Sequence, residues 1–245
     1  MHTLLTLLFI IFVVICSAIW APMCFLIGVI GGKKKRDRAV FRLARFVFVS
    51  LRFFSGAKVN ITGLEKIPKD TPVMYVGNHR SFYDIILLYS YLPPLCGFVA
   101  KESLLKIPVL RFWMKYMNCI GINRTDPREG LKSILAAIDH IKEGISVFIF
   151  PEGTRGPSDD SVMPYKEGSF KIATKSGCMV VPVALNNTAQ IFENHMPFVK
   201  KAKVNIEILD PVNIKDLPDE FKKEPGKYFH DLVENTVLKN KVNVQ

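Results

Sequence analysis

The chain opens on an apolar run in which Leu4 to Ile30 carries no charged residue. At 1.5 Å per residue that run makes a helix of about 40 Å, more than the roughly 30 Å hydrocarbon core of a bilayer requires. Pro22 inside it predicts a kink or a break. The next stretch sets Arg38, Arg42, Arg45 and Arg52 on one helical face, with Phe41, Phe46, Phe48, Leu51 and Phe54 among the apolar positions around them. A helix of this kind lies in the lipid interface or packs on a protein core, and the two readings are compatible.

Beyond residue 57 the pattern changes. Short apolar runs predict strands over residues 58–62, 72–76, 97–100, 119–122, 146–150, 179–185 and 204–209. Helical patterns between them cover residues 82–91, 109–117 and 170–175, with a surface helix over 222–239. The clearest amphipathic helix has Leu131, Ile134, Leu135, Ile138 and Ile141 on one face and Gly144 as its terminator. This alternation predicts an α/β fold: a mixed, mostly parallel sheet flanked by helices, preceded by an N-terminal membrane-embedded two-helix segment. Residues 1–56 are expected to form that membrane helix and amphipathic interfacial helix, and residues 57–245 the catalytic domain. Ligand groups should gather on loops at strand ends, where Asn78, Arg124 and Pro151 all follow apolar strands.

The 245 residues suit one sizeable domain and an appendage. Their hydrophobic fraction of 49% and mean hydropathy of +0.20 reflect the N-terminal run. The net charge of +11 raises nucleic acid as a partner, but Lys33 to Arg45 alone holds seven basic residues against Asp37. Basic residues directly after an apolar span follow the positive-inside pattern and place the following domain in the cytosol. No recognisable nucleic-acid module accompanies the charge, so that class is set aside. A cleaved signal peptide is the alternative for the N-terminus, but Met1-His2-Thr3 lacks Lys and Arg and the apolar run is too long. Five cysteines without metal-ligand spacing fit reduced thiols.

The usual nucleophile signatures are missing: no Gly-x-Ser-x-Gly elbow, no His-Glu-x-x-His pair and no Gly-rich phosphate loop. Instead, Asn78-His79-Arg80-Ser81-Phe82-Tyr83-Asp84 offers a histidine and a carboxylate five steps apart. On an ideal helix they stand about 140° apart, so they meet only if the backbone turns between them, with His79 on a loop and Asp84 in the first turns of the next helix. A His with a carboxylate orienter is two-thirds of a triad, and a substrate hydroxyl can supply the rest. The plainer alternative is a helix-cap or core hydrogen bond. Downstream, Glu152-Gly153-Thr154-Arg155 follows a buried strand, where backbone amides, a hydroxyl and a guanidinium can surround an anion, and Arg124 offers a second contact. The alternative there is a structural ion pair between Glu152 and an arginine. Ser81 reads as an N-cap and His140 as solvent-facing, while His195 and His230 stand alone.

Four blocks in order give the chain a resemblance to the glycerolipid acyltransferases, closest to those that convert 1-acylglycerol-3-phosphate to phosphatidic acid. They are His79-x4-Asp84; Lys101-Glu102-Ser103-Leu104 through Ile107-Pro108 to Gly121-Ile122-Asn123-Arg124; Phe150-Pro151-Glu152-Gly153-Thr154-Arg155; and Val181-Pro182-Val183-Ala184. The resemblance implies that His79 is the general base and Asp84 its orienter. It also implies a headgroup site of Lys101, Arg124, Glu152, Gly153, Thr154 and Arg155. An acyl thioester, acyl-CoA or acyl carrier protein, serves as co-substrate, with no bound cofactor and no metal. The implied partners are membrane lipids and lysophosphatidic acid, not nucleic acid. The implied location is a membrane, the inner membrane of a bacterium, with the catalytic domain on its cytoplasmic face. Relatives acting on glycerol-3-phosphate, lysophospholipids or lyso-ornithine lipid share the His-x4-Asp core, so the acceptor stays open, and a non-catalytic lipid-binding membrane protein is the other class.

Overall fold

The computed structural model describes residues 1–123, 126–157 and 161–241. Among them, strands β1 (Lys58–Thr62), β2 (Met74–Gly77), β3 (Cys96–Lys101), β4 (Ile120–Ile122), β5 (Ser146–Ile149), β6 (Val180–Asn186) and β7 (Lys203–Ile208) form one sheet in the order β1-β7-β6-β2-β5-β3-β4. β2 through β6 run parallel, β7 is antiparallel to β6, and β1 is parallel to β7. The sheet is mixed and mostly parallel, as the alternating pattern predicts.

Every residue of β2 is buried, because helices cover both faces of the sheet. Met74, Val76, Val147 and Ile149 face the side covered by α4 (Pro127–Lys142), α5 (Lys171–Ser176) and α7 (Pro225–Asn240), with α6 (Asp219–Lys222) just before α7. Tyr75, Phe98, Phe148 and Phe150 face the other side, under α2 (Phe82–Tyr91) and part of α1 (His2–Ser55). On that side Phe98 and Phe148 stack at 4.9 Å and Tyr75 and Phe148 at 5.9 Å, an aromatic floor beneath the strand ends. α7 is not the surface helix expected: Phe229, Val233 and Val237 recur every four residues and are all buried, and the Val237 carbonyl accepts the Asn186 side chain at 2.8 Å.

α1 is a hairpin of two helices, residues 2–31 and 33–55, that reverses at Gly32 with φ 80° and ψ 170°. That backbone region is open essentially to glycine alone, so the break falls at Gly32 and the helix runs on through Pro22. Both limbs lie against the domain. The Val199 amide donates to Thr3 Oγ1 at 3.0 Å and the Trp113 indole of α3 (Pro108–Tyr116) donates to Ser17 at 3.1 Å. On the returning limb Arg36 stands 4.5 Å over the Tyr116 ring and Phe48 stacks on Tyr89 at 5.0 Å. Lys33, at the turn, pairs with Glu143 at 3.3 Å. The first limb still exposes Leu4, Leu8, Ile15, Ile19 and Leu26.

The parallel register brings the exits of β2, β5, β3 and β4 to one edge: Val76 pairs with Ile149, Phe98 with Phe148 and Lys101 with Ile122. His79 and the Glu152-Gly153-Thr154-Arg155 stretch, both singled out from sequence, follow the ends of β2 and β5 there, and Lys101 ends β3.

Candidate active site

β2 ends at Gly77, and the chain leaves the sheet through Asn78, which is 2% exposed. The Asn78 side chain imitates a rung of the ladder. Its Nδ2 donates to the Leu185 carbonyl at 2.8 Å, and its Oδ1 accepts the Leu185 amide at 2.9 Å. The backbone can therefore turn away while β6 keeps its hydrogen bonds. His79 sits at that turn, and Ser81 caps α2, its Oγ accepting the Tyr83 amide at 2.9 Å.

Asp84 is the third residue of α2 and completes a capping box, a place that favours a carboxylate. Its Oδ2 accepts the amides of Arg80 at 2.7 Å and Ser81 at 2.8 Å, and lies 2.8 Å from His79 Nδ1. A carboxylate oxygen in this position accepts, so Nδ1 carries the imidazole proton and the lone pair is on Nε2. Asp84 is fully buried, whereas the His79 side chain is 12% exposed. The carboxylate is shut away and the imidazole has an opening.

The loop leaving β5 grips His79 from the other side. The Phe150 ring stacks on the imidazole at 4.1 Å. The His79 amide donates to Glu152 Oε1 at 2.7 Å, and its carbonyl accepts the Gly156 amide at 2.8 Å. Glu152 Oε2 accepts the Met163 amide at 3.2 Å. Burial pushes the Glu152 carboxyl up to about 7, against the pull of the two amides it accepts.

Arg155 joins the cluster through a residue that the sequence did not single out. Its Nη1 is 3.1 Å from Glu193 Oε1, and its guanidinium stands 4.2 Å over the Phe82 ring. Glu193 also accepts the Phe82 amide at 2.7 Å and the Ser81 hydroxyl. It thus ties the α2 N-terminus to the β5 loop from 111 residues away along the chain, a distance over which no local pattern carries a signal. Asn78 and Phe150 carry no assigned role in the sequence either, although Asn78 directly precedes the His79-x4-Asp84 block and Phe150 opens the third.

The structure thus brings His79, Asp84 and Glu152 into one hydrogen-bonded cluster with Arg155 attached. Gly153 lines a cleft of about 390 Å³ between the ends of β3, β4 and β5 and α4, with Asn123, Lys166 and Lys171 also in its wall. Thr154 is exposed on the same loop, and Lys101 is exposed at the end of β3. Arg124 lies outside the described residues. Ser81 has its hydroxyl committed to the Tyr83 amide and Glu193, so it is not poised as a nucleophile for the histidine. An imidazole held in one tautomer with its lone pair toward an opening is suited to take a proton from a bound alcohol.

Comparison with known proteins identifies relatives of the chain. The acyltransferase family model matches residues 58–186. A chloroplastic 1-acyl-sn-glycerol-3-phosphate acyltransferase of Brassica napus is 40% identical over 59% of this chain, and the chain spans only 42% of that plant protein's length. A protein of the same name from Borreliella burgdorferi is 36% identical, over 70% of this chain and 68% of its own. The crystal structure of the 1-acyl-sn-glycerophosphate acyltransferase PlsC of Thermotoga maritima superposes with a TM-score of 0.79 at 27% identity, covering 97% of this chain and 95% of that one. The chain belongs to the acyltransferase family.

Proposed function

We propose that this protein is a 1-acyl-sn-glycerol-3-phosphate O-acyltransferase, which moves an acyl group from an acyl thioester to the sn-2 hydroxyl of lysophosphatidate and yields phosphatidic acid for phospholipid synthesis. The observation that carries this reading is the His79–Asp84 contact of 2.8 Å, beside which the Ser81 hydroxyl is committed elsewhere. The names of the relatives support the acceptor.

In this mechanism Nε2 of His79 takes the hydroxyl proton as the oxygen attacks the thioester carbonyl. Asp84 stabilises the imidazolium that forms. The tetrahedral intermediate collapses, the carbon–sulfur bond breaks, and the imidazolium returns its proton to the departing thiolate. No acyl-enzyme forms. Arg155, the Gly153 loop, Arg124 and Lys101 supply the phosphate contacts. Glu152, whose oxygens serve two protein amides, holds the His79 backbone rather than the headgroup.

The donor is acyl-CoA or acyl carrier protein. The helical hairpin through residue 56 seats the catalytic unit on a membrane, on the cytoplasmic side of a bacterial inner membrane. The contacts of both limbs with the domain favour insertion along one leaflet over a span across the bilayer.

The test is lipid mass spectrometry of products from purified protein given both donors and a panel of lyso-lipids. Phosphatidic acid from lysophosphatidate as the dominant product supports the reading. Acylation of another lyso-lipid in its place, or thioester hydrolysis without an acceptor, overturns it.

A further inference from the structure

Gly153 has φ +75°, and a Cβ built on it would lie 2.8 Å from Nζ of Lys166. The space that a side chain at 153 would take is filled by an ammonium group of the protein itself. The Lys166 backbone is pinned there: its amide donates to the Pro151 carbonyl at 3.0 Å and its carbonyl accepts the Ser169 amide at 3.0 Å. Both residues line the cleft of about 390 Å³, whose other walls include the apolar Val99, Ile122, Ile134 and Ile149.

Among the described residues, the carboxylates of Glu152, Glu167 and Asp126 have partners other than this ammonium. Glu152 serves the His79 and Met163 amides, and Glu167 accepts the Gly226 amide at 3.0 Å. Asp126, on the cleft wall, caps α4 through the Arg128 and Glu129 amides. Among the described residues no carboxylate pairs with Lys166. A cation in a partly apolar cleft is screened less than one on an open surface and is left available to an anion of the ligand.

We infer that Lys166 binds a phosphate monoester in this cleft, the phosphate of the lyso-lipid acceptor, and that position 153 lacks a side chain so that this ammonium can stand over the β5 exit loop. The inference rests on the reading of lysophosphatidate as acceptor. It adds a ligand contact to the headgroup residues named from sequence.

The experiment compares wild type, Lys166→Ala, Lys166→Arg and Gly153→Ala with lysophosphatidate and with 1-acylglycerol, which lacks the phosphate. The ratio of kcat/KM for the two acceptors should fall about 10- to 100-fold in Lys166→Ala and recover in part in Lys166→Arg. Gly153→Ala, whose Cβ displaces the ammonium, should follow Lys166→Ala. The Ki of glycerol 3-phosphate against lysophosphatidate should rise by a similar factor, a binding readout that does not need turnover of 1-acylglycerol. Equal losses with both acceptors would mean a structural role and overturn the inference. A rise confined to the KM of acyl-CoA would assign the phosphate to the donor and overturn it as well, as would an unchanged Ki. Wild-type protein that leaves lysophosphatidate unacylated fails the functional reading first, before any variant is made, and the inference with it.

Discussion

Oδ2 of Asp84 stands 2.8 Å from Nδ1 of His79 while accepting the amides of Arg80 and Ser81, so one oxygen both caps a helix and fixes the tautomer of the base. Asp84→Asn keeps the shape but loses the charge that balances an imidazolium. It should lower kcat by about 10²- to 10⁴-fold, the range expected when an orienting carboxylate is lost. The check is turnover beside circular dichroism and thermal unfolding, since the same oxygen also holds the helix start. Near-normal kcat in a folded variant would remove Asp84 from the mechanism.

Glu193 links Ser81, Phe82 and Arg155. Glu193→Ala leaves the Phe82 amide and the Arg155 guanidinium without this partner, and should cost roughly 1–3 kcal/mol of stability. Because Arg155 loses its tether, the KM for the acceptor should rise more than kcat falls. Glu193→Gln should recover part of the stability through the amide contact. Steady-state kinetics with the acceptor and the donor varied separately read this out.

The raised carboxyl of Glu152 makes a statement about pH. Its value in the folded protein, about 7, lies above the ordinary 4.5, so between those limits the folded state holds the proton more tightly than the unfolded state. Stability carried by the protonated form is present below about pH 4.5 and is lost as pH rises through 7, a change of roughly 1–3 kcal/mol. Glu152→Gln should flatten this slope while lowering stability overall, because its amide nitrogen donates and so leaves one of the His79 and Met163 amides facing a donor. Unfolding midpoints of wild type and variant across pH 4.5–7.5 measure the difference.

Asn78 replaces a backbone rung to Leu185 on both its donor and its acceptor side. Asn78→Ala leaves two buried backbone groups of β6 without partners, at roughly 1–3 kcal/mol each. Asn78→Asp still accepts the Leu185 amide but sets a carboxylate oxygen against the Leu185 carbonyl, and should be at least as harmful. Denaturant unfolding of the two variants tests the order.

Arg38, Arg42, Phe46 and Phe53 are exposed on the returning limb of the hairpin. Reversing both arginines to Glu should weaken binding to anionic vesicles by roughly 1 kcal/mol per lost charge or more and reduce its dependence on salt. Phe46→Asp with Phe53→Asp should weaken binding to neutral vesicles too. Vesicle co-sedimentation at two salt concentrations separates the contributions.

The parts of this molecule legible in sequence are those set by short-range rules. The bounds of α2 follow from Ser81 as N-cap and Asp84 three residues on, and those of β1 from its strand propensity. The turn needed between His79 and Asp84 follows from helix geometry alone. What sequence left out depends on long-range contact. Glu193 meets Ser81 and Phe82 only because the sheet order sets β6 beside β2, and Asn78 finds Leu185 for the same reason. Pro22 predicts a kink or a break that the helix does not show, because a missing amide only weakens one helical turn, whereas the reversal needs a backbone conformation that Gly32 supplies. α7 was read as a surface helix because its polar residues outweigh an apolar stripe of Phe229, Val233 and Val237 that is narrow but fully buried.

The central claim is that Nε2 of His79 takes the proton of the acceptor hydroxyl, with no acyl group passing through the protein. Its most direct test is phosphatidic acid formation by His79→Ala in a membrane assay, with folding verified and with intact-protein mass measured after mixing with acyl-CoA alone. The account predicts that turnover is abolished in a folded variant and that neither wild type nor variant gains the mass of an acyl group. Near-normal turnover by His79→Ala, or an acylated wild-type protein, would contradict it.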